Sequence, residues 1–266
     1  MLLRSVLTKT VRDARRGLVG WSLGLAGLVL LTCSIYPSLK DNADLQKAVE
    51  SYPEELKAFI GGTLELTTGP GYLEAELFSL MVPLVLLVYA IGAGARAIAG
   101  EEEAETLDLL LANPLPRARV LLEKLGAIVV LLAALAVVLL ATLVLSSTLF
   151  GLDVGVSRLA AAVLVAWLLG VLHAALALAV GAARGSRSLA IAVAAAVAVA
   201  SYLLYGLGGL VDALEPVRPL SPWDWYAGGD PLHDGLDLGR AALLAGATVL
   251  LAAAAVPAFR RRDLSV

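Results

Sequence analysis

Acidic side chains crowd one short stretch of this chain: Glu101, Glu102, Glu103, Glu105 and Asp108 flank Thr106 and run into Leu107, Leu110 and Leu111. Carboxylates are favoured at the start of a helix, where unsatisfied N–H groups carry partial positive charge. Pro114 and Pro116 then deny any helix its continuation. Residues 101–113 are therefore expected to form a short helix of about three turns. Leu107, Leu110 and Leu111 share one of its faces by their i, i+3, i+4 spacing. Outside lipid such a face needs a cover, and each leucine buried is worth about 1.5–3 kcal/mol before the costs of association. The cover can be another protein or the ends of the chain's own apolar helices, and spacing alone does not choose between them.

Other chemistry is sparse. No glycine-rich phosphate loop precedes any of the lysines Lys9, Lys40, Lys47, Lys57 or Lys124, so the chain lacks that route to nucleotide hydrolysis. One cysteine, Cys33, leaves no internal disulfide, and two histidines with two methionines suggest no metal cluster. His173 is the one ionisable group well inside an apolar run. That makes it a candidate for a substrate pathway, although a lone histidine beside Gly170 and Ala174 more commonly makes a single interhelical hydrogen bond. No catalytic residues are expected: base, nucleophile and metal ligands do not converge, which also argues against an intramembrane enzyme.

The elements that must hold these residues are set by hydropathy. Of 266 residues 59% are hydrophobic and 16% charged, and the mean hydropathy is +0.86. Uncharged runs cover 18–36, 77–99 (broken near its end by Arg96), 125–150, 159–183, 189–211 and 241–259. Each is long enough to cross roughly 30 Å of hydrocarbon as a helix, and the helix satisfies backbone groups that lipid cannot. The expected fold is all-α: one polytopic membrane domain over 1–266, with six transmembrane helices. Residues 1–17 read as an amphipathic interfacial helix, Leu3, Leu7, Val11 and Ala14 facing lipid and the cations facing headgroups. With no small-residue cleavage site behind it, the first run is expected to be retained as a span.

Six crossings put both termini on one side. Placing them in the cytoplasm retains 14 of the 20 Lys and Arg residues there, among them Arg12, Arg15, Arg16, Arg117, Arg119 and Arg260 to Arg262, as the rule of cytoplasmic basic flanks requires. Two outer loops follow from this topology. The first, 37–75, has a helix-like stretch over 41–60 and a turn at Gly69-Pro70-Gly71. The second, 212–237, carries Ser221-Pro222-Trp223-Asp224-Trp225-Tyr226, aromatics expected to anchor in the membrane interface. Gly20 and Gly24 permit close helix approach, and Pro83 is placed to kink the second span.

In this order the pieces resemble the ABC-2 type transporter permeases, the six-span subunits of ATP-binding-cassette exporters. The resemblance rests on Glu103 to Lys124 with its Thr106-Leu107-Asp108-Leu109-Leu110-Leu111 core, Asn113-Pro114, Arg117 and Arg119. It extends to the basic amphipathic N-terminus, the Ser221-Pro222 aromatic segment, Gly229-Asp230-Pro231-Leu232 and the Phe259-Arg260-Arg261-Arg262-Asp263-Leu264 tail. Glu105 departs from the pattern, since the family often places glycine before the threonine. The resemblance implies that 101–113 is a coupling helix, with Glu103, Thr106, Leu107, Leu110 and Leu111 at the contact with a nucleotide-binding ATPase. It implies that ATP and magnesium are held by that partner, with no cofactor in this chain. It implies a homodimer, or pairing with a related permease, in a bacterial cytoplasmic membrane, surrounded by lipid and without nucleic acid. A secondary transporter or channel is the alternative, but it would ordinarily show charged residues at mid-membrane or broken helices in matching halves. The apolar spans suit a lipophilic cargo, and equally suit contact with lipid alone.

Overall fold

A computed structural model describes residues 6–40, 42, 66–106 and 116–262. Among them there is no strand, and six helices are long and apolar enough to cross a membrane. These are α1 (Val6–Ile35), α2 (Gly69–Glu103), α3 (Arg117–Phe150), α4 (Val156–Arg184), α5 (Arg187–Leu207) and, after a short α6 (Pro222–Ala227), α7 (Leu238–Arg261). The helix expected over 41–60 lies outside the described residues apart from Asn42, and so does most of the 101–113 segment.

The helix ends follow local chemistry. Ser186 accepts a hydrogen bond from the Leu189 N–H, and Asp237 accepts from the N–H groups of Gly239 and Arg240; each satisfies donors that a helix start leaves without partners. Gly151 and Gly185 close α3 and α4 in the left-handed conformation, with φ of 66° and 67°, where a Cβ would be strained. α2 starts eight residues before the expected residue 77. The apparent turn Gly69-Pro70-Gly71 is a helix start, Thr68 accepting from the Gly71 N–H and Pro70 sitting in the first turn. Conversely α5 stops at Leu207 rather than 211, with Gly208 as its cap.

α1 runs unbroken for 30 residues, about 45 Å, so the boundary expected at 17/18 between an interfacial helix and a span is not a break in the helix. Gly20 and Gly24 also depart from expectation. A Cβ built on either, or on Gly17 or Gly27, meets nothing within 4 Å, so among the described residues no helix packs closely on these glycines. The close approach occurs elsewhere: a Cβ on Gly94 of α2 would lie 2.3 Å from the Ala174 carbonyl oxygen of α4. Glycine is required there for the two backbones to touch.

Pro83 acts as expected on α2. Lacking an N–H, it leaves a carbonyl one turn earlier without its helical donor, and the helix is interrupted at Ser79–Leu80 between a wide π-turn (Glu74–Phe78) and a regular stretch (Met81–Ala95). A second π-turn, Arg96–Gly100, precedes the last turn Glu101–Glu103.

α4 is the central helix of the bundle, packed against α2, α3, α5 and α7, while α1 leans on α3. Burial follows that order: α4 hides most of its length, while α1, α5 and α7 hide about a fifth. Val19, Leu23, Val137, Leu149, Val249 and Leu250 point outward, as lipid-facing side chains do.

Candidate functional site

The described part of the functional segment expected from sequence, 101–106, lies at the end of α2, on the side that also carries Val6 and Arg262. α2 terminates there in a Schellman motif. The Thr106 N–H donates to the Glu101 carbonyl at 2.9 Å, and the Glu105 N–H donates to the Glu102 carbonyl at 3.0 Å. The residue between, Glu105, is left-handed with φ of 55°. This is the position at which helices ordinarily place glycine. The Thr106 hydroxyl donates to the same Glu101 carbonyl at 3.1 Å. Thr106 therefore fixes the direction in which the chain exits.

Each of the three preceding carboxylates reaches a different helix. Glu101 pairs with Lys124 of α3. Glu102 pairs with Arg262 at the end of α7. Glu103 accepts the backbone N–H of Arg187, the first residue of α5, at 2.9 Å. There it meets the positive end of that helix's dipole. Arg262 also donates to the Ala182 carbonyl near the end of α4 at 3.3 Å, and its own carbonyl accepts from Arg117 of α3 at 2.7 Å. α1 joins through α3: Glu123, held by Arg119 at 2.7 Å, accepts the Val6 N–H at 2.6 Å and the Leu7 N–H at 3.3 Å.

The ends of all six long helices thus meet in one polar junction, which also holds Thr106. Lys124 is only 5% exposed. An ammonium that deep is tolerated because a carboxylate meets it, and removing either charge would leave the other stranded in a poorly solvated place.

Of the residues expected to act, the structure brings Glu103 and Thr106 into this junction, where both bind the chain's own backbone. Leu107, Leu110 and Leu111 lie outside the described residues. Arg187 and Arg262 escaped the sequence reading as partners, because nothing in their local spacing says that helices far apart in sequence end together. His173 sits in the interior of α4, 1% exposed. Its Nδ1 is 2.9 Å from the Leu169 carbonyl one turn back, so Nδ1 carries the proton and donates. The interhelical hydrogen bond expected of it is instead a bond within its own helix, and Nε2 is enclosed without a partner.

The end opposite this junction departs more from expectation. The 221–226 aromatics expected at the interface do not all face outward, Trp225 alone of the three being partly exposed. They fold as α6, with Trp223 and Tyr226 each 3% exposed, turned into the chain. Tyr226 donates its hydroxyl to the Phe78 carbonyl at 2.6 Å, at the end of the first π-turn of α2. Burial, and then the negative charge of Glu74, pushes the Tyr226 phenol well above its ordinary range. Asp224 is buried beneath, accepting from Arg218 at 3.1 Å and Arg240 at 2.6 Å. Next to α6, Glu74, Asp230 and His233 stand with their ligating atoms within 4.8 Å of one another. The sequence reading, which found no cluster of metal-binding type, missed this group because its members come from two segments about 156 residues apart.

A family model described as ABC-2 family transporter protein matches residues 4–264. No curated protein matches.

Proposed function

The chain belongs to the ABC-2 family of transporter proteins, and on that premise we propose that it is the membrane-spanning subunit of an exporter whose ATP hydrolysis takes place in a separate nucleotide-binding chain. ATP and magnesium bind that partner. Leu107, Leu110 and Leu111 form the greasy face of a coupling helix seated in it, while Glu103 and Thr106 fix how the segment leaves the membrane domain. The junction carries this reading. A displacement of 107–115 cannot stay local, because the turn it hangs from is tied by Glu101, Glu102 and Glu103 to α3, α7 and α5. Packed helices held this way shift between discrete arrangements rather than bending continuously. Hydrolysis in the partner then biases the inward- and outward-open arrangements of these spans.

The junction faces the cytoplasm of a bacterial cell, with both termini on that side, since its end of the bundle carries Arg12, Arg15, Arg16, Arg117, Arg119, Arg184, Arg187 and Arg260. The protein works as a homodimer or beside a related permease. Support comes from the open Gly17, Gly20, Gly24 and Gly27 face of α1, which admits a second helix at close range. The test is co-purification with a phosphate-loop ATPase co-expressed as its candidate partner. Leu107→Asp with Leu110→Asp is expected to abolish the complex while membrane insertion and the melting temperature are kept; an intact complex would refute the coupling assignment.

A further inference from the structure

α1 is longer than the membrane is thick. Its 30 residues cover about 45 Å against about 30 Å of hydrocarbon, so the stretch before Gly17 rises to the headgroup level on the junction's side. Lys9, Arg12, Arg15 and Arg16 are all exposed there. The basic groups of the junction itself are engaged, Arg119 by Glu123, Lys124 by Glu101 and Arg262 by Glu102. The four on α1 are not: among the described residues none of their side chains forms an ion pair or a hydrogen bond. Asp13 is the only acid within residues 1–40, which sets one carboxylate against these four cations.

The cationic face continues into the membrane as a groove. Lys9, Arg12, Arg16, Gly20, Leu23 and Gly27 follow one another at steps of three or four residues and therefore share one side of the helix. Beside that line Gly17, Gly20 and Gly24, together with Trp21, Leu25 and Val85 of α2, line an open apolar hollow of about 480 Å³. Leu25 is buried at its base. Trp21 is set edge to face on Tyr89 of α2 at 5.7 Å, which fixes it as a wall. From Gly17 to Leu25 the groove follows about 12 Å of helix axis, most of the about 15 Å that the hydrocarbon of one leaflet fills. Its upper end is Gly17, next in the chain to Arg16.

We propose that this groove binds one acyl chain of an anionic phospholipid, whose phosphate is held by Arg12 and Arg16 with Lys9 above them. Arginine suits the role because its planar guanidinium meets phosphate oxygens two at a time. A long apolar chain joined to an anion matches both halves of this face, the hollow below and the cations above. A helix of a second copy fits the glycines by size, but a two-fold pairing along this line would set Lys9, Arg12 and Arg16 against their own counterparts, like charge on like. A second permease therefore meets this face with the lipid phosphate already among the cations. The site requires only that α1 crosses the membrane, and it rests on neither the export reading nor the ATPase.

The experiment follows tryptophan fluorescence of the purified full chain in nonionic detergent, at constant ionic strength, as dibrominated phosphatidylglycerol or dibrominated phosphatidylcholine is added; bromine quenches an indole only at close range. Phosphatidylglycerol is expected to quench saturably at concentrations at least about fivefold lower than phosphatidylcholine, the worth of one cation near an anionic headgroup. The part of the quenching that separates the two lipids is expected to vanish in Trp21→Phe. Arg12→Gln with Arg16→Gln is expected to bring the two lipids within about twofold of each other. Gly20→Leu fills the groove at a position where an added Cβ meets nothing within 4 Å, so the packing of the chain is kept, and it is expected to abolish quenching of Trp21 by both lipids. Equal quenching by both lipids in the parent chain, a preference that survives the arginine variant, or unchanged quenching in Gly20→Leu overturns the proposal. So does displacement of the lipid by glycerol 3-phosphate, which would make the cations a site for a free anion. So does a dimer whose Trp21 neither lipid reaches until Gly20→Leu separates the copies, which would give the groove to a second copy. Failure of the lipid site leaves the coupling helix and its ATPase untouched, and failure of the ATPase complex leaves the lipid site standing.

Discussion

Lys124→Met removes the charge at the point where the end of α2 is fastened to α3. The lysine is 5% exposed, and the side chain of its partner Glu101 is 26% exposed. Stranding one member of a fully buried ion pair costs about 3–5 kcal/mol; the partial access of water to Glu101 brings the expected cost down to about 2–3 kcal/mol. For a chain of this size that is a fall in melting temperature of about 5–10 °C, read as loss of the monodisperse peak after heating in detergent. The double variant Glu101→Gln with Lys124→Met replaces both charges, and its stability is expected to return most of the way, a coupling of at least about 1 kcal/mol between the two positions. Salt is expected to change little, since so enclosed a pair is weakly screened. A melting temperature within about 1 °C of the parent for Lys124→Met, or a double variant that simply adds the two losses, would refute the idea that this pair fastens the junction.

Glu105→Gly is expected to raise stability by about 1 kcal/mol, because the left-handed φ of 55° strains any residue with a Cβ, and Glu105→Val to lower it; thermal melts of the two variants moving in the same direction would contradict the Schellman assignment. His173→Ala is expected to assemble and work in the presence of the ATPase, since the imidazole bonds only within its own helix; a well-assembled but inactive protein would place His173 on the substrate pathway after all. The Tyr226 phenol, raised by burial, is expected to stay neutral through the pH range where ordinary tyrosines ionise, near 10. Its contribution to stability is then whole below about pH 10 and drains away as pH climbs toward the higher folded value. An ultraviolet tyrosinate titration in which Tyr226→Phe removes amplitude near pH 10 would contradict this.

The six spans could be read directly from sequence, because lipid imposes one conformation on any long uncharged run. Pro83 was legible for the same reason: a missing N–H has the same effect wherever the helix packs. The helix starts were harder. Gly69-Pro70-Gly71 has the composition of a turn, and only the Thr68 hydroxyl waiting on the Gly71 N–H makes it a start. The roles of Glu101 and Glu102 were hidden because their partners Lys124 and Arg262 lie 23 and 160 residues away, and no periodicity connects them. The aromatic segment 221–226 misled for a related reason. Tryptophan and tyrosine near a span favour the interface, but here Tyr226 reaches the Phe78 carbonyl of α2 and Trp223 is enclosed between Tyr202 and Tyr226. Glu105 worked the other way: an apparent departure from a pattern became legible once its φ was known.

The most direct test of the central claim places the purified chain in lipid vesicles and follows ATP hydrolysis and nucleotide-driven movement of a fluorescent lipophilic cargo, first alone and then with a co-expressed phosphate-loop ATPase. No hydrolysis and no movement are expected from the chain alone; both are expected with the partner, and movement is expected to disappear when Leu107 and Leu110 are changed to Asp. Nucleotide-driven movement by the chain alone, or full movement by the leucine variant, would contradict the account.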